Sequence, residues 1–243
     1  MKPISLMDML KAGVHFGHKK SLWNPKMAPY IFTTRNNIHI LDLEKTRIKL
    51  NEALNFAKDT TAKGGTILFV GTKRQAKEEV RKAAESCGMP YVVTRWLGGT
   101  FTNFRTIQRT IKKMERYEKM IADGEIKKYT KKEQLMIARE VEKMKTFFSG
   151  IKDMKKLPEA IFVLDSKYDH IPVEEARQSK VKVIGLVDTN ADPTKVDFVI
   201  PSNDDAIKVI TFMAQAVADA VMDGRNTMAQ TIITQTEGAA VTK

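Results

Sequence analysis

Five short apolar runs, separated by segments with helical periodicity, limit the folds open to this chain more than any other feature. The runs are 66–70 (TILFV), 91–95 (YVVTR), 160–164 (AIFVL), 181–187 (VKVIGLV) and 197–200 (DFVI). Near-continuous β-branched runs are typical of strands buried on both faces, and strands that alternate with helices form parallel sheets. The sequence therefore predicts an α/β fold, a Rossmann-like and mainly parallel sheet flanked by helices.

The segments around these runs predict three helices. Residues 43–61 and 73–86 have apolar residues at helical spacing. A last helix starts near Ile207, with Gly224 just past its expected end. The remaining residues, 226–243, are polar with weak periodicity, and they are predicted to form a flexible tail.

Residues 105–157 interrupt the alternation, because they contain no strand-like run. Two apolar seams at steps of three and four residues predict two long helices instead. The seams are Ile107, Ile111, Met114, Tyr117 and Ile121, then Ile137, Val141, Met144, Phe148 and Ile151. The economical arrangement is an inserted antiparallel helical hairpin, a short coiled coil in which each seam buries the other. Residues 1–104 and 158–225 would then form the α/β domain.

Positive charge is concentrated in the first two thirds of the chain. The formal net charge of +12 divides into +9 for residues 1–104, +8 for 105–157 and −5 for 158–243. A surface without a charged partner mixes its signs more evenly, so this division favours a polyanionic partner for the first two sections. We expect the acidic last third to face elsewhere.

Composition also indicates the compartment. No apolar run approaches the ~18 residues of a membrane helix, and the start, MKPISLMDMLKAG, lacks the features of a secretory signal. The single cysteine, Cys87, excludes an internal disulfide framework and a cysteine-based structural zinc site. We expect a cytoplasmic protein with no membrane contact.

Two glycine turns have the composition of phosphate-binding loops. TRWLGGTFTNFR (94–105) and the turn at 71–74 match neither the nucleotide-loop spacing nor the dinucleotide fingerprint. At the second turn, Lys73 and Arg74 leave two alternatives open: contact with a backbone phosphate, or plain turn geometry.

The sequence indicates neither catalysis nor a cofactor. No serine lies in a nucleophile elbow, and there is no convincing general acid and base pair. A divalent cation such as Mg²⁺ is an alternative for acidic residues that follow two predicted strands, and whether a histidine joins them as a ligand is left open. These residues are Asp188, Asp192, Asp204, Asp205 and His18. Turn formation and capping are favoured for the aspartates, so no metal site is predicted.

Cations and aromatic rings alternate in residues 15–37, HFGHKKSLWNPKMAPYIFTTRNN. Proteins that bind RNA use cations for phosphates and flat rings for unstacked bases. The segment therefore favours RNA binding, while core packing of some of its aromatic residues is the alternative.

Four motifs in order resemble the family of bacterial small-subunit ribosomal protein two over about residues 3 to 225. They are AGVHFGHKKSLWNPKMAPYIFTTRNNIHILDLEKT, FVGTKRQA, TRWLGGTFTNFRTI and PEAIFVLDSKYDHIPVEEARQSKVKVIGLVDTNADP. The resemblance implies an α/β domain with a protruding hairpin, bound to small-subunit ribosomal RNA at the junction of head and body. It also implies late assembly, docking of ribosomal protein one for translation initiation, contacts with other ribosomal proteins, and no catalysis.

Matched residue by residue, the resemblance implies a set of RNA-facing side chains. They are His15, His18, Lys19, Trp23, Asn24, Pro25, Lys26, Arg35, Lys73, Arg74, Arg95, Asn103 and Arg105. The basic face of the hairpin adds Lys112, Lys113, Lys127 and Lys128. The leading hypothesis is electrostatic scaffolding of folded RNA, without cofactor or metal. The alternative is a phospholigand-binding α/β enzyme or sensor.

Overall fold

The computed structural model of the chain describes the backbone of residues 4–241 and the side chains of residues 4–230. The helices in this part are α1 (Leu6–Ala12), α2 (Leu43–Ala62), α3 (Lys77–Cys87), α4 (Phe104–Ala122), α5 (Lys131–Phe148), α6 (His170–Gln178) and α7 (Ile207–Val241). The strands are β1 (Phe16–Lys19), β2 (Ile31–Arg35), β3 (Ile38–Leu41), β4 (Ile67–Val70), β5 (Tyr91–Val92), β6 (Ala160–Val163), β7 (Lys182–Val187) and β8 (Phe198–Pro201).

The last five strands form one parallel sheet in the order β5-β4-β6-β7-β8. Each strand begins within two residues of the start of one of the five apolar runs, and all four strand pairings are parallel. The predicted parallel sheet is therefore confirmed. Residues of β4 alternate between the two faces. Phe69 packs edge to face on Phe162 beneath α2, α3 and α7, while Leu68 shares the opposite core with Trp96 and Ile111. Residues 105–157, here called the helical insert, therefore contribute to one face of the core.

The first three strands form a separate antiparallel sheet in the order β1-β3-β2, which the sequence does not predict. The turn between β2 and β3 is Asn36-Asn37, with φ values of 50° and 60°, a left-handed pair that asparagine tolerates. The register shifts between Ile31 and Thr33, which breaks the alternation by which strands are recognised. Two of the N-terminal cations, Lys19 and Arg35, are thus presented by a folded sheet.

The helical insert consists of α4 and α5, which contact each other. Nζ of Lys113 lies 2.7 Å from the Glu140 carboxylate, and α5 begins with a capping box of Thr130 and Glu133. The buried residues of the predicted seams are Ile107, Ile111, Met114, Val141, Met144, Phe148 and Ile151. The coiled-coil geometry and the domain boundaries stay predictions.

Helix α7 packs closely along α2 at Gly224. A Cβ atom at this position would collide with the Thr61 side chain and the Lys58 carbonyl oxygen, so only glycine allows the approach. The prediction that the helix ends before Gly224 is wrong, because α7 continues through it. The backbone of the predicted tail, 226–243, is helical as far as Val241, and residues 242–243 lie outside the described part. The flexibility of this tail stays a prediction.

Gly224→Ala is expected to lower the free energy of unfolding by about 1–3 kcal/mol, since the added methyl group forces α7 away from α2. Helix propensity alone predicts the opposite sign, a gain of about 0.5–1 kcal/mol. Urea unfolding followed by circular dichroism measures the difference. Gly98→Ala is the matched control, because a Cβ atom at Gly98 meets nothing within 4 Å. A stabilising Gly224→Ala would contradict the packing argument.

Candidate nucleic-acid interface

The loop at residues 94–105 surrounds a carboxylate of the protein itself. Glu175 of α6 is 7 % exposed, and its oxygens accept hydrogen bonds from the loop. The donors are Gly99 N at 2.7 Å, Phe101 N at 2.9 Å, Trp96 Nε1 at 3.2 Å and Thr102 N at 3.3 Å. Gly99 has a φ of 89°, a left-handed conformation that favours glycine. The apparent phosphate cradle is therefore filled from within.

This loop joins the sheet to the first helix of the insert. Trp96 and Phe101 are buried and pack at right angles, with ring centroids 5.0 Å apart. Arg95, Asn103 and Arg105 are exposed around the loop, and the Asn103 side chain makes no capping hydrogen bond to α4. The three predicted RNA-facing side chains of this motif are thus grouped at the base of the insert.

The second turn, after β4, is also satisfied by a carboxylate. Thr72 donates from its backbone N to Asp169 Oδ2 at 3.1 Å and from Oγ1 to Asp169 Oδ1 at 2.6 Å. Burial raises the pKa of Asp169, and the hydrogen bonds from Thr72 oppose that shift. This contact favours plain turn geometry over phosphate contact, because the Thr72 amide that a phosphate would need is already bound to Asp169.

Lys73 points into the protein rather than outward. Its Nζ lies 2.8 Å from Asp205, 2.9 Å from Asp165 and 3.0 Å from Asp204, and its side chain is 15 % exposed. Burial lowers the pKa of Lys73, but the carboxylates outweigh burial and raise it overall. This ammonium group is neutralised internally, whereas Arg74 beside it is exposed.

His18 joins the same cluster from the antiparallel sheet. Its Nδ1 lies 3.1 Å from Asp188 Oδ2 and its Nε2 lies 3.4 Å from Asp205 Oδ2. The hydrogen bond to Asp188 raises the pKa of His18, which favours the charged ring. Burial, together with Asp165 and Asp188, raises the pKa of Asp204 to about 7. The cluster therefore holds more negative charge than Lys73 alone balances.

Three of these side chains could ligate one ion. Ligand atoms of His18, Asp188 and Asp204 lie within 4.8 Å of one another. One imidazole and two carboxylates suit a transition metal better than Mg²⁺, which prefers oxygen ligands. Asp192, the fourth aspartate of the cation alternative, instead bonds Lys26 and caps the following turn.

The exposed cations of the predicted set that form no ion pair within residues 4–230 lie on the antiparallel sheet, on the turn after β4 (residues 71–74), at the base of the insert and along it. They are Lys19, Arg35, Arg74, Arg95, Arg105, Lys112 and Lys127. In the antiparallel sheet Lys19 and Arg35 both pair with Ile38, so they form a row on one face. No carboxylate of residues 4–230 forms an ion pair with any of these seven side chains.

The remaining predicted residues have structural partners. Lys26 lies 2.8 Å from Asp192, Lys113 pairs with Glu140, and Lys128 lies 3.6 Å from Glu125. Asn24 caps a 3-10 helix that contains Pro25. Trp23 is 37 % exposed and packs on His39, and His15 is half-buried, which lowers its pKa.

An apolar groove lies beside the antiparallel sheet, and the sequence does not reveal it. Its cavity of about 340 Å³ is lined by Leu6, Met7, Leu10, His15, Phe32, Ile40, Leu41, Asp42, Leu43 and Glu44. Phe32 is 75 % exposed and Met7 is 58 % exposed. The groove could not be predicted, because α1 and β3, which form it, are separated by 25 residues in sequence. The alternation of rings and cations in residues 15–37 was the one sequence feature that favoured an exposed Phe32.

A family model described as "Ribosomal protein S2" matches residues 9–224 of the 243. Among the described residues, no helix has the length and apolar character needed to cross a membrane.

Glu175→Gln is expected to lower the free energy of unfolding by about 2–4 kcal/mol, since the amide group faces buried N–H donors and leaves some of them unpaired. Chemical denaturation measures the loss. Glu174→Gln is the matched control, because its pair with Lys195 is solvent-exposed and adds little to the free energy of unfolding. In Glu175→Ala, acetate should raise the Tm more than chloride at equal ionic strength; equal effects would contradict an anion cradle.

Proposed function

This chain belongs to the ribosomal protein S2 family and is a structural protein of the small ribosomal subunit, and we propose that it binds small-subunit ribosomal RNA at the junction of head and body. The observation that carries this proposal is a set of exposed cations on the antiparallel sheet, the turn after β4 and the helical insert that have no carboxylate partner among residues 4–230. The resemblance and the charge division support the same partner.

The mechanism we propose is electrostatic scaffolding. Exposed lysine and arginine side chains neutralise phosphates, and this attachment releases counterions without reading bases. Lys19 and Arg35 on the antiparallel sheet supply one patch, and Lys112 and Lys127 on the insert supply another. Two patches on separate elements suit a protein that bridges two parts of a folded RNA in the cytoplasm.

The proposal extends to late subunit assembly and to the docking of ribosomal protein one. A protein partner needs exposed apolar surface, and the groove beside Phe32 supplies it. The row of Lys19 and Arg35 lies on the same small sheet, so an apolar segment with acidic residues would complement it. We propose this groove as the surface for ribosomal protein one.

The alternative, a phospholigand-binding enzyme or sensor, is less favoured because both candidate phosphate loops bind carboxylates of the protein. Glu175 and Asp169 occupy the backbone amides that a phosphate would use. A thermal-shift screen with nucleotides and sugar phosphates tests it, because a bound ligand would raise the Tm.

Replacing Lys112 and Lys127 together by Gln should weaken RNA binding and lower the slope of log K against log salt by about two, one for each lost phosphate contact. Filter binding to small-subunit RNA from low to high salt measures both quantities. Lys113→Gln with Lys128→Gln is the matched control, with a smaller expected change because both ammonium groups have glutamate partners. A flat salt dependence of the wild-type chain would contradict the mechanism.

Phe32→Ala is expected to reduce the amount of ribosomal protein one that remains on small subunits, since it removes the most exposed ring of the groove. Sedimentation of subunits followed by quantitative mass spectrometry measures this. The control is Ile48→Ala, which removes an exposed apolar side chain of α2 outside the groove. Equal retention in all three proteins would exclude the groove.

A further inference from the structure

An exposed aromatic ring stands at the carboxyl edge of the parallel sheet, in a loop that the predicted RNA-facing set leaves out. Tyr168 lies between β6 and α6 and is 59 % exposed. Its neighbours Lys167 and His170 are exposed as well. The hydrogen bonds from Thr72 to Asp169 hold the turn after β4 beside this loop, which adds the exposed Arg74. We call Arg74, Lys167, Tyr168 and His170 the Tyr168 surface.

The loop that presents Tyr168 is held by hydrogen bonds. Asp165 Oδ1 accepts from Lys167 N at 3.0 Å and from Tyr168 N at 2.7 Å. The backbone N of Ser166 donates to Leu186 O, and that of Asp169 donates to Asp165 O. Because the backbone is fixed, a ligand that covers the ring meets a preorganised surface and little chain entropy is lost.

The Tyr168 surface is positively charged, although it lies in the acidic third of the chain. The two loops, 71–76 and 165–169, contain two carboxylates, Asp165 and Asp169, and both are buried. No carboxylate of residues 4–230 pairs with Arg74 or Lys167. Helix α6 begins at His170, so the positive end of its dipole adds to the same field.

The internal bonds at this edge favour a partner that binds its outer surface. In α/β sheets ligands usually enter the crevice at the carboxyl ends of the strands. Here Glu175, Asp169 and Lys73 fill that crevice with internal bonds, so a ligand must lie on top of it. A ring flanked by cations is the arrangement that stacks an unpaired base while phosphates meet the cations.

We propose that the Tyr168 surface binds an unpaired nucleotide of the small-subunit RNA, with Tyr168 stacked on the base and Arg74 and Lys167 on flanking phosphates. The inference rests on the proposed function, and it adds a contact of the α/β body to those of the antiparallel sheet and the insert. A protein partner for the same surface is an outcome that the experiment separates.

The test measures binding of the full chain to small-subunit RNA at several salt concentrations. Tyr168→Ala should weaken binding at least about fivefold, since stacking contributes about that factor or more for each base, and the loss should not vary with salt. Tyr168→Phe should keep wild-type affinity because it keeps the ring. Arg74→Gln and Lys167→Gln should each lower the salt slope by about one. The exposed position of Tyr168 predicts an unchanged Tm for Tyr168→Ala, which thermal unfolding checks.

Wild-type binding with a steep salt slope and no effect of Tyr168→Ala would overturn this inference and leave the proposed function standing. Loss of a ribosomal protein from reconstituted subunits, with RNA affinity unchanged, would overturn it in favour of a protein contact. If the wild-type chain does not bind small-subunit RNA at all, the proposed function fails first.

Discussion

One buried carboxylate fixes the entry of the helical insert to the α/β domain. Glu175 of α6 receives four N–H donors from the loop that leads into α4, and a charge-assisted hydrogen bond contributes about 1.5–3 kcal/mol. At the other end of the insert, Gly150 lies against the backbone of Tyr91 so closely that no side chain would fit. Entry and exit are both fixed to the α/β body, so cations on the insert keep a defined place relative to those on the body.

Buried carboxylates also bind turn amides and Lys73 at the carboxyl edge of the sheet. A Rossmann-like sheet collects strand ends, glycine turns and free amides at this edge, which is why related folds bind phosphates there. In this chain the amides bind Glu175 and Asp169, and Lys73 binds three aspartates. These turn amides and Lys73 are therefore bound within the protein, so a partner of this edge would meet its outer surface.

The sequence predicts what is local and leaves out what is distant. The parallel strands were predictable because burial on both faces demands continuous apolar runs. The antiparallel sheet was not, because its strands carry Lys19, Thr33 and Arg35 on an exposed face and its register is irregular. Glu175 could not be assigned to its loop, since the two are 73 to 79 residues apart and nothing in VEEA distinguishes Glu175 from the exposed Glu174. In the sequence, Gly224 is typical of a helix end. The contact with α2 that requires glycine there is not visible without the structure.

The charge division along the chain changes its meaning once burial is known. The last third has an excess of acidic residues, and it was expected to face away from the polyanionic partner. Five of its carboxylates, those of Asp165, Asp169, Glu175, Asp188 and Asp204, are buried and bind amides, Lys73 or His18. These carboxylates hold the turns at the sheet edge in place. Their hydrogen bonds and the nearby cations offset their negative charge, which reduces repulsion of a polyanion. The outer surface of this third is thus less acidic than its composition, and a positive patch such as the Tyr168 surface can exist within it.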